Sequence, residues 1–275
     1  MQQQTIELSG LRLHYHHNTS LSRRAIFIHG YASSGRMWHS ALEHLDGRVG
    51  GLAPDLPGHG LSDKPPFPWY SLDNFLAALR AFAQALQADP AVLVGHSMGG
   101  TFALEYACRY PRSVERLVLV NPVITGRLYV DLPWLARIVP GRWILSATRR
   151  LWPSIASGIQ GRINRQRSRG RSGGYVQRNQ EDLSRMTADS LLGCARAVAH
   201  ADLMDRLESI GIPSLVVVGR RDATVPPREG RLAARRLPGA QLEELVAGHL
   251  PFDEAPDRFL SVLTSFLLEP SQPAR

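Results

Sequence analysis

Cysteine is scarce in this chain of 275 residues. The only two, Cys108 and Cys194, lie far apart and lack the spacing of metal ligands. This scarcity excludes a disulfide-stabilised scaffold and a zinc site built from cysteines, and it indicates a reduced compartment. We therefore expect two unpaired thiols and no metal site.

Long hydrophobic runs are missing as well. No uninterrupted apolar stretch approaches the roughly 18 residues of a membrane-spanning helix. The polar segment from Met1 to His17 lacks the apolar core of a secretion signal. These absences predict a cytoplasmic protein, and they leave a peripheral contact with a membrane open.

Lysine is nearly absent, because Lys64 is the only one beside 31 arginines. Residues 123–200 contain 13 arginines and four acidic residues, whereas the formal net charge of the whole chain is +8. The positive excess of the protein is therefore concentrated in this one segment.

The apolar residues follow two kinds of pattern, one typical of strands and one typical of helices. Thr5 to Leu8 and Leu11 to His16 alternate around Ser9-Gly10, which predicts a β-hairpin. Six short apolar runs then predict buried strands, at residues 25–28, 49–53, 91–94, 117–120, 215–218 and 241–245. Helical spacing between and after them predicts helices at residues 37–45, 72–86, 98–109, 229–237 and 257–268. This order indicates an α/β fold, with a mostly parallel sheet and helices on both faces.

The alternation stops after Asn121-Pro122 and resumes near Ile212-Pro213, so about 90 residues separate two predicted strands. Ordinary loops have roughly 4 to 6 residues, and the intervening segment reads as irregular helices. We predict a core formed by residues 1–122 and 209–275, with a helical, arginine-rich cap inserted at residues 123–208.

A serine between two glycines follows the third of the predicted buried strands, in Gly95-His96-Ser97-Met98-Gly99. This is the sequence pattern of a strained turn from a strand to a helix, which exposes a hydroxyl. Ser97 is therefore the candidate nucleophile. A serine hydroxyl needs a base, an acid that orients the base, and donors for the oxyanion.

Candidates for these three roles also follow predicted strands, where ligands gather in parallel sheets. Asp222 comes after the run at residues 215–218, and His249 comes after the last predicted strand. His249 would accept the proton of Ser97, and Asp222 would hold the imidazole in the correct tautomer. The backbone N–H groups of Met98 and Tyr31 would bind the oxyanion.

Five motifs, in this order along the chain, resemble those of the α/β-hydrolase fold superfamily. They are His29-Gly30-Tyr31, Asp55-Leu56-Pro57-Gly58-His59-Gly60, Gly95 to Gly99, Gly219 to Asp222, and Gly248-His249. The resemblance implies an α/β-hydrolase fold and a serine hydrolase with a triad of Ser97, Asp222 and His249. It covers residues 25–120 and 212–268 but not the predicted cap, and it implies no particular substrate.

Other polar residues are interpreted as structural. Asp55, His59 and His96 are expected to form hydrogen bonds in turns and loops. His14, His16 and His17 lack a pattern of carboxylate partners, so we expect them at the surface.

The predicted cap combines apolar and basic side chains, which leaves several roles open. Its apolar members include Leu132, Trp134, Leu135, Trp143, Leu151 and Trp152, and its arginines include Arg137, Arg142, Arg149 and Arg150. The simplest interpretation is packing over an apolar pocket, with arginine stems covering apolar surface. The alternatives are contact with an anionic membrane surface and docking of an acidic acyl-carrier protein. Nucleic-acid binding is the weakest alternative, since Arg162 to Gly174 is short and has only Tyr175 nearby to stack on a base.

The sequence as a whole predicts a cofactor-independent serine hydrolase, of the carboxylesterase or lipase kind. Its substrate would be a carboxylic ester or thioester with an apolar acyl group, cleaved through an acyl-enzyme on Ser97. Two alternatives stay open: hydrolysis of a carbon–carbon bond in a diketone-like substrate, and a catalytically silent protein of hydrolase fold that binds a ligand or partner.

Overall fold

A computed structural model of the protein describes residues 1–19, 24–126, 173–199 and 202–269. Within these ranges, eight strands form one sheet. The strands are β1 (Gln2–Leu8), β2 (Leu11–His17), β3 (Arg24–Ile28), β4 (Gly50–Pro54), β5 (Ala91–His96), β6 (Val114–Val120), β7 (Ser214–Gly219) and β8 (Gln241–Leu245). Their order across the sheet is β1-β2-β4-β3-β5-β6-β7-β8.

The sheet is mostly parallel, as the sequence predicts. β1 and β2 pair antiparallel around Ser9 and Gly10, both of which have positive φ angles, 51° and 78°. Such a two-residue turn matches the twist of the strands that it joins. β2 also pairs antiparallel with β4, and all pairs from β4 to β8 across the sheet are parallel.

Helices cover both faces of the sheet. They are α1 (His39–Leu45), α2 (Leu72–Ala85), α3 (Met98–Arg109), α4 (Gly173–Ser184), α5 (Ala188–Ala199), α6 (Pro227–Arg236), the short α7 (Pro251–Glu254) and α8 (Pro256–Leu268). α1 and α8 contribute to the apolar core on one face. α2, α3 and α6 contribute to the core on the opposite face. The predicted α/β fold with helices on both faces is therefore confirmed.

Successive residues of the central strands belong to different cores. In β3, Phe27 belongs to the core that contains Trp38 and Phe259. Ile28 belongs to the core that contains Phe75 and Phe102. Side chains alternate between the faces of a strand, so a strand buried on both sides needs apolar residues at every position. This requirement explains why the central strands read as continuous apolar runs.

The long segment between β6 and β7 contains α4 and α5. α5 packs closely against the core, since a Cβ atom at Gly193 would lie only 2.3 Å from the Cβ atom of Tyr70. The main-chain N–H of Phe67 also donates to Asp189 in α5, at 3.3 Å. Residues 127–172, with most of the arginines and tryptophans of the predicted cap, lie outside the described residues. The division into a core and a cap stays a prediction.

Candidate active site

Ser97 stands in a tight turn between β5 and α3. Its φ and ψ angles are 53° and −115°, a conformation that side-chain-bearing residues rarely adopt. A Cβ atom at Gly95 would lie 2.3 Å from the carbonyl oxygen of Gly99, and one at Gly99 would lie 2.3 Å from that of Ile28. Both glycines are therefore required by close backbone contacts, and the turn places Ser97 at the carboxyl end of β5.

Asp222 and His249 form a hydrogen-bonded pair at the same edge of the sheet. Asp222 follows β7 and His249 follows β8, and Nδ1 of His249 lies 2.7 Å from Oδ2 of Asp222. The other carboxylate oxygen accepts the main-chain N–H groups of Thr224 and Val225, at 2.7 and 2.9 Å. Since the carboxylate accepts, Nδ1 of His249 carries the proton. The imidazole is thereby left with Nε2 as its proton acceptor.

His96 links this pair to the serine turn. It precedes Ser97, and its ring centroid lies 4.6 Å from that of His249. Nε2 of His96 donates to the main-chain oxygen of His249, at 2.8 Å. Burial, reinforced by the nearby His249, holds the pKa of His96 well below its usual value, so His96 stays neutral.

Asn121 is a second structural link that sequence reasoning missed. It follows β6 with a positive φ of 44°. Its amide nitrogen donates to the main-chain oxygens of Gly248 and His249, both at 3.1 Å, and its amide oxygen accepts the N–H of Gly219 at 2.8 Å. One side chain therefore joins the ends of three strands. The signal that pointed to Asp222 and His249, a polar residue soon after a buried strand, also applies to Asn121.

The two expected oxyanion donors lie beside this site. Met98 is the first residue of α3, where main-chain N–H groups have no partner within the helix. Tyr31 follows Gly30 in the loop after β3. A Cβ atom at Gly30 would lie 2.8 Å from Nδ1 of His96 and 3.3 Å from the Cβ atom of Ser97. The absence of a side chain at Gly30 thus lets this loop approach the serine.

His29 fixes the start of the same loop. Its Nδ1 donates to the main-chain oxygen of Gly30 at 2.8 Å, and its Nε2 accepts the N–H of Leu56 at 2.9 Å. This pattern requires a neutral ring, and burial lowers the pKa of His29 accordingly. His29 is therefore a structural support for Gly30 and Tyr31.

The prediction that His14 and His16 lie at the surface is wrong. Their relative exposures are 6% and 1%. His14 Nδ1 donates to Oδ2 of Asp55 at 3.0 Å, and His39 Nε2 and His16 Nδ1 share a hydrogen bond of the same length. The antiparallel pairing of β2 with β4 brings the histidines beside Asp55, which follows β4. His17 is partly buried.

Among the described residues, His14, His16 and Asp55 form the one group with the composition of a metal site. One ligand atom from each lies within 4.8 Å of the others. However, the Asp55 oxygens already accept the N–H groups of Gly35 and Leu61 as well as His14. These contacts outweigh the effect of burial, and they hold the pKa of Asp55 at about 2. We therefore interpret the group as a structural hydrogen-bond cluster.

No described helix is both long enough and apolar enough to cross a membrane.

The chain matches a known protein family. The family model for the alpha/beta hydrolase fold matches residues 26–256. A pimeloyl-[acyl-carrier protein] methyl ester esterase of Neisseria meningitidis is 30% identical over 251 residues, which cover 89% of this chain and 93% of that protein. A protein of Mycobacterium tuberculosis, described only as uncharacterised, is 31% identical over 264 residues, 90% of this chain and 76% of its own.

Solved structures agree with this match. A hydrolase from Pseudomonas aeruginosa superposes with a TM-score of 0.80 at 26% identity, covering 97% of this chain and 98% of that one. An esterase from Exiguobacterium antarcticum has a TM-score of 0.82 at 19% identity, covering 96% and 99%, and at this identity it supports the fold alone.

Proposed function

Because the chain belongs to the alpha/beta hydrolase fold family, we propose that it is a serine hydrolase that cleaves a carboxylic ester or thioester with an apolar acyl group. The observation that carries this proposal is the 2.7 Å pair of Asp222 and His249, held at the strand ends beside the strained turn of Ser97. A module that only binds a ligand needs neither a base nor a partner that orients it.

The proposed reaction has two steps on one serine. In the first, the Oγ atom of Ser97 attacks the acyl carbon while Nε2 of His249 takes its proton. The N–H groups of Met98 and Tyr31 stabilise the oxyanion. Collapse of the tetrahedral intermediate breaks the bond to the leaving alcohol or thiol, which takes the proton from His249. In the second step, water attacks the acyl-enzyme by the same route and releases the acid.

Asp222 contributes orientation and charge rather than a proton. Its hydrogen bond fixes the tautomer of His249 that has a free Nε2, and its negative charge stabilises the imidazolium that forms during each step. The N–H groups of Thr224 and Val225 bind the other carboxylate oxygen and hold the buried Asp222 side chain in place.

Two observations support an ester with an apolar acyl group. Leu183, Met186 and Leu191, which lie in and between α4 and α5, pack with Tyr31 and Ala32, so apolar side chains lie against the residue of the proposed oxyanion donor. The relative from Neisseria meningitidis is named for a methyl ester whose acyl group is carried by a protein. We therefore propose a carrier-borne acyl ester as the first substrate to test, with the arginine-rich segment as the docking surface for an acidic carrier.

The test combines covalent labelling with a substrate panel. We expect the wild-type protein to react with a fluorophosphonate and to hydrolyse short p-nitrophenyl esters with a burst of acylation. Ser97→Ala should lose both reactions while keeping its melting temperature. Labelling retained in Ser97→Ala would refute Ser97 as the nucleophile.

The same panel separates the alternatives. Turnover of diketone-like substrates in preference to esters would replace the proposal by carbon–carbon bond hydrolysis. Absence of labelling and of acylation with every activated ester would indicate a catalytically silent binding protein.

A further inference from the structure

The loop that carries the proposed oxyanion donor Tyr31 is bound by helices α4 and α5. We call residues 30–36 the oxyanion loop. The hydroxyl of Tyr31 donates to the main-chain oxygen of Leu191 in α5, at 3.0 Å. The hydroxyl of Ser34 donates to Oδ2 of Asp182 in α4, at 2.9 Å. Side chains of this loop are thus bound to two helices that lie about 150 residues further along the chain.

The strongest of these contacts is ionic. Nη2 of Arg36 lies 2.7 Å from Oδ1 of Asp182, and Nη1 lies 2.8 Å from Oε2 of Glu181. Asp182 is only 1% exposed, and Arg185 lies 3.8 Å from it. Hydrogen bonds between charged groups are short and strong, and a buried carboxylate that loses its partner is costly. The contact therefore holds the end of the loop firmly to α4.

The same loop contains a strained residue next to Tyr31. Ala32 has a φ of 52°, in the left-handed region that favours glycine. A side-chain-bearing residue adopts this region at a steric cost, and it persists only where its surroundings hold it there. On the core side, the N–H of Gly35 donates to Asp55 at 2.7 Å. On the side that faces away from the core, the contacts with α4 and α5 described above hold the loop.

We propose that the Tyr31 hydroxyl and the Asp182 carboxylate are positioning residues, which fix the main-chain N–H of Tyr31 where the oxyanion forms. This inference rests on the proposed serine hydrolase function. A donor stabilises an oxyanion only at about 2.7 to 3.1 Å from it, and small displacements are costly. If the contacts of the loop with α4 and α5 are lost, the strained loop relaxes and the N–H of Tyr31 moves. Ser97, His249 and Asp222 stay in place.

The test uses two conservative variants and a matched control. Tyr31→Phe keeps the ring and the main-chain N–H but removes the hydroxyl, and Asp182→Asn keeps the shape but removes the charge. The control is Asp189→Ala, which removes a carboxylate contact between α5 and the core at Phe67, outside the oxyanion loop. The readouts are kcat and KM for a p-nitrophenyl ester, the affinity for an alkyl trifluoromethyl ketone, and the melting temperature.

Removal of a whole oxyanion donor typically lowers kcat about 10²- to 10³-fold, so a displaced donor should cost less. We expect kcat to fall about 5- to 30-fold in both variants, with KM changed less than about twofold. The trifluoromethyl ketone forms a tetrahedral oxyanion adduct with the serine, so its affinity should fall by the same factor as kcat. In Asp189→Ala, both values should stay within about twofold of wild type.

Two results would overturn the inference. The first is an unchanged kcat in Tyr31→Phe and Asp182→Asn. The second is an equal loss of kcat in Asp189→Ala, which would indicate that kcat falls because the protein is less stable and not because the donor has moved. These results are distinct from failure of the proposed function, in which the wild-type protein itself neither reacts with a fluorophosphonate nor hydrolyses esters.

Discussion

Asp222 and His249 are joined by a 2.7 Å hydrogen bond from Nδ1 to Oδ2, although 27 residues separate them. Two further main-chain N–H groups, of Thr224 and Val225, bind the other carboxylate oxygen. The carboxylate is therefore fixed in one orientation before any substrate arrives. An acceptor held in this way imposes both the rotation and the tautomer of the imidazole.

Replacement of this acceptor by an amide tests its role. We expect Asp222→Asn to lower kcat for ester hydrolysis by roughly 10³- to 10⁴-fold with little change in KM. The asparagine amide can donate to Nδ1, which would place the imidazole proton on Nε2 and remove the base. Steady-state kinetics on a p-nitrophenyl ester give the effect, and circular dichroism checks the fold. A loss of less than tenfold in a folded variant would contradict this role.

The strained turn at Ser97 predicts a difference in stability between two inactive variants. Ser97→Ala keeps the Cβ atom at a φ of 53°, whereas Ser97→Gly removes the steric cost of that conformation. We expect Ser97→Gly to be more stable than Ser97→Ala by about 1 kcal/mol, after allowance for the greater entropy of glycine in the unfolded chain. Urea denaturation of both variants measures the difference. Equal stability, or a more stable Ser97→Ala, would indicate that the turn is not strained.

The sequence was sufficient to predict most of the sheet and the order of the candidate site residues. The continuous apolar runs predict strands because burial on both faces leaves no position for a polar residue. Parallel strands end at one edge, so Ser97, Asp222 and His249 could be placed together without knowledge of any contact. Their roles in a reaction stay predictions until the variants are measured.

What the sequence did not predict depends on contacts between distant segments. The burial of His14 and His16 follows from the pairing of β2 with β4, which places Asp55 beside them. A pattern of alternating residues in one strand contains no information about the strand that will pair with it. The contact between Tyr31 and Leu191 spans 160 residues, and it too required the three-dimensional arrangement.

The buried His16 predicts a dependence of stability on pH. Burial lowers its pKa to about 3, while Asp55 opposes the shift and His39, His14 and Arg36 add to it. The folded protein therefore keeps His16 neutral, whereas the unfolded chain binds a proton near pH 6.5. Between pH 6.5 and pH 3 the unfolded state binds more protons, so stability falls as the pH falls. One such proton contributes a slope of up to about 1.4 kcal/mol per pH unit.

His16→Gln should remove this contribution. Urea denaturation at several values between pH 7 and pH 4.5 should show a slope smaller by up to about 1.4 kcal/mol per pH unit in the variant than in wild type. Burial also lowers the pKa values of His29, His59 and His96, so a residual slope should remain. The matched control is His44→Gln at an exposed position of α1, which should keep the wild-type slope. Identical slopes in His16→Gln and wild type would contradict the prediction.

Arginines are enriched in residues 123–200, which predicts that salt changes KM for one kind of substrate and not for another. Attraction between this segment and an acidic acyl-carrier protein acts through solvent, where the screening length falls from about 10 Å at 0.1 M salt to about 3 Å at 1 M. We expect KM for a carrier-borne acyl ester to rise more than about tenfold over this range, since charge steering mainly sets the rate of encounter. KM for a short p-nitrophenyl ester, which needs no docking, should stay nearly constant.

A variant with five substitutions tests which residues cause this salt effect. Substitution of the five arginines at positions 162, 165, 167, 169 and 171 by glutamine should reduce the salt effect on KM for the carrier-borne ester and leave KM for the short ester unchanged. Hydrolysis of the carrier-borne ester that does not depend on salt would contradict the prediction and indicate that these arginines only pack against apolar surface. Sedimentation with anionic vesicles that weakens with salt would indicate that they bind a membrane surface instead.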